Sequence, residues 1–376
     1  MNPTPSPAQA PPSPGRADDM AHIVALVTVD GLGPRRLRDV IARFGSAAAA
    51  WRADAADLAP IVTAPVAERL VSLRARRSPE AIMAAVHACG AHVLPLVDPR
   101  YPPLLAQTAT PPFVLFVRGD IAPLAGPAVA VVGTRAATAY GRDATWRIVA
   151  PLARQGIVIV SGLALGIDAA AHDAALEAGG STVAVVAGGI DGVYPPQHVE
   201  LHARIIAGGG CVVSECAPGV EPVAGRFPAR NRIIAGLSLA CVVVEAGMRS
   251  GALITASCAL EEGRDVLAVP GPITSDRSHG AHGLISAGAA LATSAEDVLA
   301  VLDLDRRAAD SDARRQLPDD PAEAALVAAL SDRPSAADEL ARRTGLDAAT
   351  VGGALALLEL KGLARQAGGR WTAARR

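Results

Sequence analysis

Short apolar runs alternate with longer amphipathic segments between residues 127 and 303, and this alternation is the strongest structural signal in the chain. Apolar runs bounded by turn residues are typical of buried strands, and the segments between them have the length of helices. The predicted strands are 128–132, 157–160, 182–187, 211–214, 240–244 and 266–269. The predicted helices are 138–155, 167–177, 199–206, 230–237, 251–262 and 283–287. The pattern predicts an α/β fold with a doubly wound parallel sheet covered by helices on both faces.

The region before this alternation predicts a tail and a small helical domain. Residues 1–18 contain six prolines and are predicted to be a disordered tail. Residues 20–76 are predicted to be helical, like a SAM or helix-hairpin-helix domain. Two interpretations of the Gly-Leu-Gly-Pro turn at 31–34 stay open: its amides face a DNA phosphate, or it serves only the packing of the helices. Residues 91–97 and 112–118 are predicted as strands that extend the sheet.

The C-terminal region has the pattern of a winged-helix domain. Residues 304–320 are charged, lack apolar periodicity and are predicted to be a linker. Within 321–372, helices are predicted over 322–330, 336–343 and 348–361, followed by a short strand-like tail with Gly368-Gly369. The third helix carries Lys361 as its only basic residue, whereas a helix that reads bases needs Arg, Asn or Gln. Contact with a partner or another copy is favoured over DNA reading, which stays open.

Composition limits the kinds of site that the chain can carry. The formal net charge is −2, so any basic site must be local, and Lys361 is the only lysine. Aromatic residues make up 3% of the chain, which excludes base stacking as the main means of recognition. The five cysteines form no C-x-x-C pair and are expected to be reduced, with no metal site. The apolar run 23–29 is too short to span a bilayer, and a cytoplasmic location is expected.

Five turns that follow predicted strands carry glycine or arginine. They begin at Gly133, Ser161, Gly188, Phe227 and Glu245. Loops after parallel strands meet at one edge of a sheet, which is where open α/β sheets bind ligands. We therefore expect Arg135, Arg230, Arg232 and Arg249 to lie together and bind an anion, aided by amides at helix N-termini. The candidate binding residues are Gly133, Thr134, Arg135, Ser161, Gly162, Gly166, Arg230, Asn231, Arg232, Ser250 and Gly251.

Known cofactor and catalytic motifs are missing from these turns. Gly133 starts no G-x-G-x-x-G run, and the chain has no G-x-x-x-x-G-K-[ST] run, so no nucleotide cofactor is expected. No serine lies in a G-x-S-x-G context. His172 lies four residues after Asp168, on the same helix face. This spacing fits a metal or acid–base pair, but it fits a helix-capping Asp beside a packed His better.

Four blocks of sequence resemble the DNA-processing protein A family, also called DprA or Smf. They are 132–141, 161–172, 227–238 and 244–256, and they occur in the family's order within a match over about residues 90–295. The resemblance implies an extended Rossmann-like core over 90–303 that binds single-stranded DNA in the cytoplasm. It also implies protection of incoming strands during natural transformation, loading of the RecA recombinase and action as a homodimer, with no catalytic step and no cofactor.

The resemblance also assigns roles to individual residues. It implies that Gly133-Thr134-Arg135 and Arg230-Asn231-Arg232 form a positively charged pocket for the DNA backbone. The chain departs from the family pattern at Ala229, where many members carry lysine. Either binding is weakened by the lost charge, or Arg226 takes the place of that lysine.

Two other functions are weighed against single-strand binding. The first is a nucleotide phosphoribohydrolase of the lonely-guy type, which has a related core and a P-G-G-x-G-T-x-x-E motif. Thr255 stands where that motif has its catalytic glutamate, which favours binding over hydrolysis. The second is a sequence-specific regulator acting through residues 321–372, and the poorly basic third helix counts against it.

Overall fold

The computed structural model describes residues 17–302, 320–330, 335–360, 363–367 and 370–373. The chain divides into two compact units, Met1–Val301 and Leu302–Arg376. The predicted tail lies outside the described residues except for positions 17 and 18, and the predicted linker does so except for position 320. Lys361, Gly368 and Gly369 also lie outside them.

Six helices precede the sheet: α1 (Ala17–Val27), α2 (Pro34–Phe44), α3 (Ala47–Arg52), α4 (Ala55–Val62), α5 (Ala64–Arg74) and α6 (Pro79–Ala88). The turn before α2 faces the body of the larger unit, because it lines a cavity together with Glu215 and Cys216. Asp30 in this turn accepts a hydrogen bond from Arg226 at 2.9 Å. These contacts support the interpretation that the turn serves packing.

A doubly wound sheet forms the centre of the larger unit. Its strands are β1 (His92–Pro95), β2 (Val114–Gly119), β3 (Ala128–Val132), β4 (Val158–Ser161), β5 (Thr182–Val185), β6 (Cys211–Ser214), β7 (Ala240–Val243), β8 (Asp265–Ala268) and β9 (Ala290–Leu291). Their order is β1-β2-β6-β5-β4-β3-β7-β8-β9. The seven neighbouring strands β6-β5-β4-β3-β7-β8-β9 are parallel, whereas β2 pairs antiparallel with both β1 and β6. The predicted fold class is confirmed.

The helices of this unit are α7 (Pro103–Ala106), α8 (Ala139–Arg154), α9 (Ile167–Glu177), α10 (Val199–Ala207), α11 (Arg226–Gly236), α12 (Gly251–Glu261), α13 (His279–Ser286) and α14 (Ala295–Leu302). Two predicted helix starts were wrong. Helix α11 begins at Arg226 instead of residue 230, because Pro228 fits the first turn, where its missing N–H has no intrahelical partner. Helix α13 begins at His279 instead of residue 283.

Alternate residues of the strands face two different hydrophobic cores. Phe116, Ala184 and Val212 pack in one core together with the helices that precede the sheet, whereas their neighbours Val117 and Val213 pack in the other. This alternation follows from the two-residue period of a strand. Because the first core is continuous with α1–α6, the early helices and the sheet are held as one unit. Within the described residues, no helix is both long enough and apolar enough to cross a membrane.

The smaller unit has its own core. Helices α15 (Pro321–Leu330), α16 (Ala337–Thr344) and α17 (Ala348–Leu360) precede the antiparallel strands β10 (Ala364–Ala367) and β11 (Arg370–Ala373). Leu326, Leu340, Leu355 and Trp371 pack together. The backbones of Ser335 and Trp371 exchange two hydrogen bonds of 2.8–2.9 Å, which tie the strand pair to the start of α16.

Candidate nucleic-acid interface

The order in which successive strands join the sheet reverses at β3, and this point of the sheet positions the candidate site. Strands β4, β5 and β6 follow on one side of β3, and β7, β8 and β9 on the other. Loops that leave such a switch point separate and open a crevice. The crevice is a cavity of about 560 Å³ lined by residues from the loops after β3, β4, β7 and β8 and from α11.

Glu245, just after β7, fixes the loop after β3. Its backbone oxygen accepts a hydrogen bond from the Thr134 N–H at 2.7 Å. Its buried carboxylate accepts from the N–H and the hydroxyl of Thr138 at 2.9 and 2.7 Å. A Cβ on Gly133 would lie 2.5 Å from a side-chain carbon of Ile167. Gly133 is therefore required by close packing, and the rigid loop that results carries Arg135 at the cavity.

The loop after β4 supports the loop after β3. The Ser161 hydroxyl is buried and donates to the Val131 carbonyl at 2.6 Å, so it does not reach the cavity. Gly166 has φ of +84° and lies directly against the loop after β3, where its Cβ would be 2.7 Å from the carbonyl carbon of Arg135. Gly166, predicted as a binding residue, thus has a structural role: it lets the two loops approach each other.

We expect Gly166→Ala to destabilise the fold more than Gly179→Ala does. Both glycines have positive φ, which costs an alanine about 1–3 kcal/mol, but an added Cβ meets nothing within 4 Å at Gly179. At Gly166 the Cβ also collides with the backbone of Thr134 and Arg135. Chemical unfolding of both variants measures the difference. Equal losses of free energy of unfolding would contradict the packing role of Gly166.

Arg230 forms the buried floor of the cavity, with 6% of its surface exposed. Its guanidinium donates to the Gly162 carbonyl at 2.8 Å and also to the Val185 carbonyl. Burial lowers the pKa of Arg230 to about 10, while nearby Asp168 acts in the opposite direction. Arg230 therefore joins α11 to the ends of β4 and β5, and its charge lies beneath the cavity.

Asp168 and His172 do not form an acid–base pair. The Asp168 carboxylate accepts from the N–H groups of Gly162 and Ala164 at 3.1 and 3.3 Å, and so it caps the preceding loop. Burial raises the pKa of Asp168, and Arg230 opposes that shift. The buried His172 ring is 2.7 Å from the Thr182 hydroxyl, and burial lowers its pKa to about 3. His172 is thus a neutral, packed side chain.

Arg232 does not join the other arginines. It donates to both oxygens of Glu215 at 2.5 and 2.6 Å and to the Thr110 carbonyl at 2.7 Å. Residues two apart on a helix point to different sides, so Arg230 and Arg232 cannot both face the cavity. The expectation that four predicted arginines line one site therefore fails at Arg232.

Three exposed arginines surround the cavity above Arg230. Arg135, Arg249 and Arg277 come from the loops after β3, β7 and β8 respectively. The N-terminus of α12 opens onto the same space, with Ser250 as its N-cap and Gly251 in its first turn. The Asn231 amide donates to the Gly251 carbonyl at 3.2 Å and so fixes this helix start against α11. Guanidinium groups around a helix N-terminus attract anions.

The sequence interpretation missed Arg277. A strand was predicted at 266–269, and the arginine follows it in the next loop. The signal for Arg277 was its place after the predicted parallel strand 266–269, in a turn that was not among the five predicted to form the site. Asp276 also lines the cavity beside Arg277, so this part of the cavity wall carries both a negative and a positive side chain.

Phe227 divides this cavity from a smaller one. The Arg135 guanidinium carbon lies 5.3 Å from the Phe227 ring centre, within the range of a cation–π interaction. Tyr194 packs on Phe227 with ring centres 5.7 Å apart. The smaller cavity, of about 270 Å³, is lined by both rings and by Gly188 and Gly189. Tyr140 is committed elsewhere, since its hydroxyl donates to the Pro270 carbonyl.

Fold and site together define a Rossmann-type α/β protein with an arginine-lined cavity at the switch point of its sheet. Among the described residues, no cluster of three or more His, Cys, Asp or Glu side chains could hold a metal.

Comparison with known proteins places the chain more narrowly. The family described as DNA recombination-mediator protein A matches residues 92–303, which is more than half of the chain, and the DprA winged helix domain matches residues 308–370. The chain belongs to the DNA recombination-mediator protein A family, as the resemblance in the sequence indicated.

Individual relatives agree with this assignment. Protein Smf of Escherichia coli is 44% identical over 233 residues, which are 62% of this chain and 62% of that protein. The crystal structure of DNA processing protein A from Streptococcus pneumoniae is 37% identical, with a TM-score of 0.65 over 74% of this chain and 97% of that one. A structure of DNA processing protein A from Helicobacter pylori, described for its single-stranded DNA binding mode, is 28% identical, with a TM-score of 0.51 over 57% of this chain and 96% of that one.

Proposed function

We propose that this protein binds single-stranded DNA, holding the backbone in the arginine-lined cavity at the switch point of the sheet. The observation that supports this most is the convergence of Arg135, Arg249 and Arg277 on one cavity that also receives the N-terminus of α12. Guanidinium forks and helix amides together suit successive phosphates. The relative from Helicobacter pylori, which is described as binding single-stranded DNA, shares the fold.

The shape of the site favours an unpaired strand over a duplex. Phe227 is half-buried and Tyr194 is 46% exposed, so ring surface is available beside the arginines. Unpaired bases can stack on aromatic rings, whereas bases in a duplex present only their edges. With a net charge of −2 the whole molecule does not attract nucleic acid, so binding depends on this local cluster.

The predicted binding residues divide into two groups in this proposal. Thr134, Arg135, Asn231, Ser250 and Gly251 line the cavity and are proposed to lie along the strand. Gly133 and Arg230 also line the cavity but serve mainly to hold its walls together, and Ser161, Gly162 and Gly166 act beneath it as structural support. Arg232 is paired with Glu215 away from the cavity.

We infer a non-catalytic role for the protein. Thr255, which stands where the phosphoribohydrolase motif has glutamate, is buried in the cavity wall. Asp168 is buried and accepts two backbone hydrogen bonds, so it is not placed as a free base. The test of the alternative is release of free base from nucleoside monophosphates by concentrated protein. Turnover that is abolished by Arg135→Ala would favour the enzyme.

The wider role proposed follows from the family. As a member of a recombination-mediator family, the protein is proposed to protect incoming strands during natural transformation, to load RecA and to act as a cytoplasmic homodimer. These roles require contacts with a recombinase and a second copy, which chemical cross-linking of the purified components would detect.

We expect the protein to bind an oligo-dT strand more tightly than a duplex of the same length. The preference should be about tenfold or more, because unpaired bases add contacts worth about 1–3 kcal/mol each. Fluorescence anisotropy at one fixed salt concentration, with labelled strand or labelled duplex, measures both affinities. Equal affinities, or a preference for duplex, would contradict the proposal.

A further inference from the structure

The loops after β7 and β8 form one continuous wall of the cavity. The Gly280 N–H donates to the Ala246 carbonyl at 2.7 Å, and a Cβ on Gly247 would be only 3.4 Å from the Asp276 carbonyl oxygen. The β8 loop is closed by its own turns, in which Ser275 donates to Pro272 at 3.0 Å and Ser278 to Ser275 at 2.9 Å. This geometry fixes the two loops side by side.

Exposed apolar side chains accompany the exposed arginines of this wall. Met248 precedes Arg249 and is 68% exposed, and Ile273 lies four residues before Arg277 and is 84% exposed. Ile254, in the first turns of α12, is 42% exposed and lines the cavity. Exposed apolar surface therefore lies on the same loops that carry Arg249 and Arg277 to the cavity. Paired cationic and apolar groups match a ligand with charged phosphates and apolar base faces.

No basic residue near the start of α11 adds to the positive charge of the arginine-lined cavity, apart from the buried Arg230. Ala229 has no charge to offer, and Arg226 is held by Asp30 at 2.9 Å on the side of α1–α6. Arg226 also lines the cavity beside the turn at 31–34 instead of the arginine-lined one. The idea that Arg226 replaces the missing lysine therefore has no support from its contacts.

We propose that the β7–β8 wall also holds the bases of the DNA strand: Ile273 and Met248 contact a base, while Arg277 contacts the neighbouring phosphate as in the proposed function. The wall lies on the opposite side of the switch point from β4 and β5, so it extends the path of the strand across the cavity. This inference rests on the proposed function, because it names further contacts for the same single-stranded ligand.

The charged groups around Arg277 determine whether a substitution there weakens or tightens DNA binding. Asp276 also lines the cavity and is fully exposed, and its carboxylate is 3.8 Å from the ring of His279. Asp276 repels a phosphate at the place where Arg277 attracts one. Removal of the two charges should therefore change affinity in opposite directions.

Arg277→Ala is expected to weaken oligo-dT binding about fivefold and to make the slope of log affinity against log salt shallower by about 0.7, the value for one phosphate contact of a single strand. Asp276→Asn should tighten binding about twofold. Ile273→Ser should weaken binding about threefold with no change of slope, since it removes apolar contact and no charge. The matched control is Arg154→Ala, an exposed arginine at the far end of α8, near the opposite edge of the sheet.

The outcomes separate this inference from the proposed function. If the unaltered protein binds oligo-dT and Arg135→Ala weakens it, but Arg277→Ala and Ile273→Ser behave like the Arg154→Ala control, the β7–β8 wall is not a binding surface. If the unaltered protein does not bind oligo-dT, the proposed function itself fails. Loss of affinity in Ile273→Ser with an unchanged salt slope supports the wall, because the proposed function alone does not predict it.

Discussion

Replacement of Arg230 by alanine is expected to lower the free energy of unfolding by about 3–5 kcal/mol, the range measured when one partner of a buried charged network is removed. Arg230 satisfies the carbonyls of Gly162 and Val185 and offsets the charge of buried Asp168. In the variant the two carbonyls would lose their hydrogen-bond donor and the Asp168 carboxylate its neighbouring positive charge, in a site that water reaches poorly. Urea unfolding of both proteins at neutral pH measures the loss.

The pH dependence of the Arg230→Ala variant tests the physical reason for its instability. Burial raises the pKa of Asp168 and Arg230 opposes the rise, so the pKa should climb further in the variant. A carboxyl with a raised pKa in the folded state binds protons more tightly there than in the unfolded chain, so stability falls as pH rises between the two values. The deficit should therefore shrink as the pH falls from about 7 towards 5. The double variant with Asp168→Asn should lack this pH dependence, and a deficit that is constant with pH would contradict the account.

Arg135→Ala is expected to weaken binding of single-stranded DNA about tenfold. The change removes a proposed phosphate contact. It also removes the cation–π interaction that holds Phe227 beside the bound DNA strand. Arg135 has no acidic partner among the ion pairs of the described residues, so its loss should leave the unfolding free energy within about 0.5 kcal/mol of the original. Anisotropy titration with oligo-dT measures the affinity, and urea unfolding measures the stability.

Arg135→Lys separates charge from geometry at this position. Lysine keeps one positive charge but lacks the planar fork and stacks less well on a ring. The lysine variant should retain the salt dependence of the original protein while it loses part of the affinity. Identical behaviour of the alanine variant and the original protein would remove Arg135 from the interface.

The sequence predicted the sheet well because buried parallel strands are continuous apolar runs. Residues 128–132 and 211–214 match β3 and β6 at both ends. The start of α11 was harder to predict, because a turn was predicted from Phe227, whereas Phe227 and Pro228 lie in the first turn of the helix. The local pattern of apolar residues predicts whether a segment is a helix or a strand better than it predicts the first residue of that element.

The candidate site was predicted at the correct edge of the sheet but not in its detail. The position of a residue after a strand indicates the edge, and this is why Arg135 and Arg249 are at the cavity. The direction in which a helical side chain points depends on its position around the helix axis. This difference in direction separates Arg230 from Arg232. The burial of Arg230 and the ion pair of Arg232 depend on residues far away in sequence, such as Val185 and Thr110.

The salt dependence of oligo-dT affinity measures how many backbone phosphates the cavity contacts. Three exposed arginines around the cavity should give a slope of log affinity against log salt of about −2, at 0.7 per phosphate contact. Combined replacement of Arg135 and Arg249 by alanine should reduce the magnitude of the slope to about 0.7. A slope near zero in the original protein, or an unchanged slope in the double variant, would contradict backbone binding in this cavity.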